Sequence, residues 1–201
     1  MINYHQAKII LKKAKIRILN EKVSIKNSLN RVVAKDIFSP SNHPLEDNAA
    51  FDGFAVNSTD TKNITKKKSN YFKIIGSIAA GTKPLKKKIN KYETAEIMTG
   101  GVVFRPFNSI IPIEQIIFYP NRKNPKSIII KKKIKKFAHV RFKGSDYKKG
   151  QIIIKKGTII RPNHILAFKT LGLKKIEVKK KINILFFSTG NEISNSDNIS
   201  P

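Results

Sequence analysis

This chain of 201 residues contains no cysteine and no tryptophan, and its 13 acidic residues face 41 basic ones. Without cysteine there is no disulfide framework, no thiolate metal site and no cysteine nucleophile, and a reducing, cytoplasmic setting is expected. Long hydrophobic runs are also missing. Ile128-Ile129-Ile130 and Ile182 to Phe187 are among the longest, and both fall far short of the roughly 20 apolar residues that span a bilayer. Lys8, Lys12, Lys13 and Lys15 break up the N-terminal stretch, so no signal peptide is expected there. The four histidines, His5, His43, His139 and His164, show no ligand spacing and read as structural. No Walker loop, no Gly-x-Gly-x-x-Gly and no Ser-His-Asp order stands out.

Arginine is scarce as well. Arg17, Arg31, Arg105, Arg122, Arg141 and Arg161 are all there are, and lysine supplies the remaining 35 of the basic residues. Proteins that read nucleic acid favour arginine, whose planar fork matches phosphate and guanine edges. Here lysine is spread along the whole chain beside abundant isoleucine and asparagine. The net charge of +28 therefore reads first as background composition on solvated faces. Any nucleic-acid binding is expected to be non-specific, through charge alone.

Length suggests one or two domains, and a 40% hydrophobic content supports a core. Residues 4–19 read as a helix, with Ile9 and Ile16 on one face. Val23 to Ile25 and Arg31 to Phe38 read as short elements, and Ser39 to Pro44 as a turn-rich crossing. From 45 to about 147 short apolar runs recur: Phe54 to Val56, Phe72 to Ile75, Ile110 to Phe118 and Ile128 to Ile130. Lysine triplets at 66–68, 86–88 and 131–133 separate them, which reads as mostly β with exposed turns. Gly150 to Ile154 and Gly157 to Ile160 suggest a hairpin. Arg161-Pro162 to Leu171 reads as a helix, with Pro162 suited to its first turn and Gly172 to its stop. Ile176 to Val178 is a short strand. Lys181 to Phe187 then runs into Ser188-Thr189-Gly190, the way an α/β nucleotide-type domain opens. One strand cannot bury its own faces, so the chain is expected to be the front piece of a longer protein or a shortened gene product.

The acids that exist are not scattered evenly. Glu46, Asp47 and Asp52 crowd the segment Pro44 to Val56, and Asp52 precedes Gly53 and the strand Phe54-Ala55-Val56. On the dipeptide alone an Asp-Gly hairpin turn is the more economical reading. A carboxylate held on a turn beside a buried strand is the other, and it is a common layout for a working site.

Wider spacing favours the second reading. Pro44 to Val56 resembles the Pro-x-Phe-Asp-Asn-Ser-Ala-Met-Asp-Gly-Tyr-Ala-Val signature of the molybdopterin molybdenumtransferases, the MoeA and gephyrin E-domain family. Gly76-Ser77-Ile78-Ala79-Ala80-Gly81 resembles its Gly-Glu-x-Ala-Ala-Gly, and Ile97-Met98-Thr99-Gly100 its Ile-Met-Thr-Gly. Ile110-Ile111-Pro112-Ile113-Glu114 follows at the spacing of Val-Val-Met-Gln-Glu. Val140 to Asp146 parallels Val-Arg-x-x-Gly-Glu-Asp, and Ser188-Thr189-Gly190-Asn191-Glu192 parallels Ser-Thr-Gly-Asp-Glu. There are departures: Gly101-Val102-Val103-Phe104 stands where the family has Ala-Pro-Val-Pro, Glu46 where it has Phe, and Asn191 where it has Asp.

The resemblance implies an α+β multi-domain chain. A discontinuous helix-plus-strand first domain (1–44 and 148–177) would flank a β-rich second domain (45–147). Residues 178–201 would carry the opening strand of a truncated, MogA-like α/β third domain. It implies insertion of molybdenum from molybdate into adenylylated molybdopterin, with release of AMP and with Mg2+ assisting, by a homodimer. Asp52, Thr99 and Asp146 fall on positions assigned to that active site, with Asp52 also a candidate Mg2+ ligand. Gly100, Glu114, Arg141, Ser188 and Glu192 fall on positions suited to substrate contact. By itself the 201-residue chain is expected to be inactive. A non-catalytic basic module that binds RNA or another acidic partner weakly, and a chain without selected function, are the readings the residues leave open beside it.

Overall fold

The computed structural model describes residues 2–14, 16–65, 68–82, 88–185 and 187. In chain order its elements are α1 (Tyr4–Lys13), β1 (Asn20–Ser24), β2 (Ile37–Phe38), β3 (Asn48–Ala49), β4 (Gly53–Val56), β5 (Asn70–Ile78) and β6 (Glu93–Ile97). There follow β7 (Ser109–Pro112), β8 (Ile117–Tyr119), β9 (Ser127–Ile130), β10 (Val140–Arg141), β11 (Ile152–Ile154), α2 (Pro162–Thr170) and β12 (Lys175–Lys179). They fall into two compact units. One comprises Met1–Ile37 and Ile154–Pro201, the other Phe38–Ile153.

In the first unit β1 and β12 pair antiparallel, from Asn20 opposite Lys179 to Ser24 opposite Lys175. Val33, Ile160, Phe168 and Val178 are fully buried, and Ile25 and Ile176 nearly so. Pro162 opens α2 and Gly172, at φ 72°, closes it, the asymmetry expected from their backbone preferences. Ala167 and Phe168 form the face that α2 buries.

Three expectations for these segments are corrected. The first helix stops at Lys13 instead of running to residue 19. No residue of α1 is buried, and continuing it would set Lys13 and Arg17 at i,i+4, a like-charge pair that weakens a helix lacking a packed face. Gly150 to Ile154 and Gly157 to Ile160 do not form a hairpin with each other. β11 pairs with β2. Residues 157–160 instead ladder onto 30–33, with Val33 N–H donating to Thr158 O at 3.0 Å and Ile160 N–H to Arg31 O at 2.9 Å. The strand expected over Lys181 to Phe187 is absent among the described residues, where 181–185 and 187 carry no regular structure. The third-domain strand therefore has no counterpart there.

The second unit is built on a six-stranded sheet in the order β7-β4-β6-β5-β9-β8. All neighbours are antiparallel except β5 and β6. The edge strands β7 and β8 follow one another in sequence through a 3-10 turn, Ile113–Gln115, so the sheet curls. The expected single element Ile110 to Phe118 is thus two strands and a turn. Strand period two divides the apolar residues between two clusters. Phe54, Val56, Phe72, Ile111 and Ile128 pack on one face, and Ala55, Ala95, Ile97, Phe107 and Ile110 on the other. All four residues of β4 are buried, which explains why Gly53-Phe54-Ala55-Val56 is apolar without alternation. Lys131, Lys132 and Lys133 are exposed, as their turn reading requires.

Candidate active site

Asp52 sits between β3 and β4, and Gly53 fixes where it stands. A Cβ on Gly53 would lie 2.0 Å from the carbonyl oxygen of Ile111 on β7. The glycine is needed for this close approach of two backbones, and no hairpin turn is made: β3 pairs with β10 and not with β4. The carbonyl of Asp52 accepts the Ile113 N–H at 3.1 Å, which ties the residue to the turn after β7.

The exposed Asp52 carboxylate is held through one oxygen. Oδ1 accepts the Thr99 N–H at 2.6 Å and the Thr99 hydroxyl at 2.7 Å. The Thr99 backbone bond, then its hydroxyl bond, hold the carboxyl below the usual carboxylate range, against a small opposing effect of desolvation. Oδ2 makes no hydrogen bond among the described residues. Asp52 is accordingly an ionised carboxylate with one oxygen fixed and one open. The Thr99 hydroxyl proton is committed to Asp52, which makes Thr99 a positioning group in this state. Gly100, at φ 82°, lets the Met98–Gly101 turn fold back onto β3. There Gly100 N–H donates to Ala49 O, and Ala49 N–H to Gly101 O, both at 2.9 Å.

Asp146 is brought near the same strand from the other side. Arg141 on β10 lies opposite Asn48 on β3. Its guanidinium forms a very short ion pair with Asp146 Oδ2, with His43 Nε2 3.8 Å from the same oxygen. The Asp146 N–H donates to His43 O at 3.0 Å and Gly144 N–H to Pro44 O at 2.9 Å. Lys143 N–H donates to Asp47 Oδ1 at 2.8 Å. Segment 43–52 thus carries Asp52 and anchors both the Thr99 turn and the Asp146 loop. No hydrogen bond or ion pair joins Asp52 to Asp146 among the described residues.

Glu114 is exposed in the 3-10 turn, directly after the residue whose amide binds Asp52 O. Ser188 and Glu192 lie outside the described residues. No group of three or more His, Asp or Glu capable of holding a metal occurs among the described residues. A metal would therefore meet Asp52 as a single open carboxylate oxygen. That suits Mg2+, which usually takes one or two carboxylates and completes its shell with water and substrate phosphate. His43, a plain turn residue by sequence alone, stands beside Asp146. The signal that could have shown its place is its position at the head of the Pro44–Val56 segment. Asn48 Oδ1 is buried and has no hydrogen-bond partner among the described residues. A cleft of about 600 Å³ is lined by neither Asp52, Thr99 nor Asp146.

Residues 2–172 match the model of the MoeA N-terminal region (domains I and II). The molybdopterin molybdenumtransferase of Staphylococcus aureus is 29% identical over 192 residues, covering 92% of this chain and 44% of that protein. That of Staphylococcus epidermidis is 28% identical over the same shares. The crystal structure of the molybdopterin biosynthesis MoeA protein of Pyrococcus horikoshii aligns with a TM-score of 0.74 at 30% identity, covering 88% of this chain and 44% of that one. The chain spans less than half the length of these relatives. No helix among the described residues is long and apolar enough to cross a membrane.

Proposed function

The chain belongs to the MoeA family, whose N-terminal region it matches, and on that premise we propose that it serves molybdenum-cofactor biosynthesis. In this reading it takes part in inserting molybdate into adenylylated molybdopterin with release of AMP, and it works as a homodimer. The observation that carries the proposal is the Asp52–Thr99 pair, bonded at 2.6 and 2.7 Å inside the segment that bears the family signature.

The roles follow from the bonds each group makes. Thr99 fixes Oδ1, so Asp52 presents Oδ2 in one orientation and in its charged form. A fixed carboxylate of this kind can accept a proton from an attacking water or hold a hard cation. Asp52 would hold Mg2+ through Oδ2, and the ion when bound would offset charge on the substrate phosphates. Asp146 keeps Arg141 in place and neutralises it, so that pair orients more than it attracts. Gly100 directly follows Thr99, and Glu114 directly follows Ile113, whose N–H binds Asp52 O, so both would be substrate contacts near Asp52.

A chimera tests the proposal. This chain's residues 1–172 replace the matched portion of the Staphylococcus aureus enzyme, and molybdate-dependent AMP release is measured. Turnover is expected, and Asp52→Ala should lower it at least about 100-fold, the low end for loss of a group moving a proton in the transition state. Equal turnover with and without the Asp52 carboxylate would remove it from the site.

A further inference from the structure

The cleft of about 600 Å³ in the second unit is lined by neither Asp52 nor Asp146. Its volume is within the range of about 300–1,000 Å³ usual for small-molecule sites. Two of its lining residues are cations, Arg105 and Lys136, and one, Asp47, is an anion already engaged by the Lys143 N–H. The charge balance of the lining is therefore positive.

Arg105 is the informative member. Arg31 and Arg141 are paired with Glu21 and Asp146, and Arg122 lies over the Phe118 ring. Arg105 has no hydrogen-bond or ion-pair partner among the described residues. An unengaged guanidinium at a cleft offers a planar fork to a bidentate oxyanion. Asn57 also lines the cleft: its Oδ1 accepts from Thr59 N–H at 3.1 Å, from the Thr59 hydroxyl at 2.8 Å and from Asn108 Nδ2 at 3.4 Å, and its Nδ2 donates no hydrogen bond among the described residues.

The walls supply rings. Phe107 is buried, whereas Phe137 is 45% exposed. Phe137 also has φ 65°, in the left-handed region that a bulky side chain seldom enters. It is held there by its N–H, which donates to Asn108 O at 3.0 Å. Lys136 Nζ stands over the Phe137 ring, 4.8 Å from its centroid. The ring also meets Phe142 edge-on at a centroid distance of 5.3 Å, and a left-handed φ kept at an aromatic that lines a cleft fits ligand contact there.

We propose that this cleft binds a small planar anion, an aromatic ring carrying a phosphate, with Arg105 and Lys136 on the phosphate and Phe137 against the ring. The proposal stands independently of the molybdenum-cofactor reading.

Calorimetry on the full chain at moderate salt tests it, with adenosine and uridine monophosphate as probes and inorganic phosphate as the ring-free control. At least one nucleotide should bind with 1:1 saturation, and phosphate at least tenfold more weakly. Arg105→Gln and Phe137→Gly should each weaken nucleotide binding at least tenfold, and Lys131→Gln, an exposed lysine on a turn elsewhere, should leave it unchanged. Phe137→Gly gives up the edge-on contact with Phe142 and is expected to lower Tm, whereas Arg105→Gln changes an exposed side chain and should leave Tm unchanged, so its loss of binding is read apart from loss of the fold. Absence of saturable binding by both nucleotides overturns the proposal. So does equal weakening by Arg105→Gln and Lys131→Gln, or phosphate binding as tightly as the nucleotides.

Discussion

Thr99 reaches Asp52 twice, once with its backbone and once with its side chain, and the two contributions can be separated. Thr99→Val removes the hydroxyl and keeps the amide. The amide is the larger cause of the lowered Asp52 pKa, so the variant should raise that pKa only part of the way to the ordinary carboxylate value. A carbon-detected NMR titration of the Asp52 carboxyl reads this directly, and an unchanged titration would mean that the hydroxyl bond contributes nothing in solution. The sign of the linkage follows from the direction of the shift. A depressed folded-state pKa gives stability that is present above the unfolded value and lost as pH falls through the folded one. Asp52 therefore stays charged through the neutral range, and any pH dependence of activity between about pH 6 and 9 belongs to groups other than this carboxylate.

At the scale of the elements, Gly53 shows how packing decides what local sequence leaves open. The Asp-Gly dipeptide invites a hairpin, yet the glycine serves the crowding of β4 against β7. Gly53→Ala would force a methyl group into backbone and should cost about 3 kcal/mol, at the upper end of ordinary overpacking, measured as a shift of the urea midpoint. A change below about 0.5 kcal/mol, the usual scatter of surface substitutions, would show that β7 moves aside freely. Elements whose burial is written in consecutive residues were legible beforehand. β4 and β9 are short apolar runs between turn residues, and α2 is bracketed by Pro162 and Gly172. Their partners were not legible, because the parallel pairing of β5 with β6 and the pairing of β3 with β10 join distant segments, and periodicity carries no register between them. The site divides in the same way. The Pro44–Val56 segment pointed to Asp52, whereas the Thr99 bond spans 47 positions and became visible only in the fold. The cleft draws its lining from several separate stretches of the chain, so no single stretch announces it.

Over the whole molecule the charge of +28 sets what the surface attracts. The chain should bind unrelated RNAs alike, and that binding should fall at least about 100-fold between roughly 50 and 200 mM salt, as counterion release requires. Filter binding across salt concentrations checks this, and a preference for one RNA that survives high salt would point instead to a built nucleic-acid site. A different consequence comes from where the second unit begins and ends. Ser39 N–H donates to Gln151 O, and Gly150 N–H to Ser39 O, both at 2.8 Å. The entry and exit of Phe38–Ile153 are therefore tied side by side, and Asp52, Thr99, Asp146 and the Arg105 cleft all lie between them. Such an insert is portable. A short bridge between its ends would let it be circularly permuted or transplanted as a cassette, carrying Asp52, Asp146 and the cleft together into a new host.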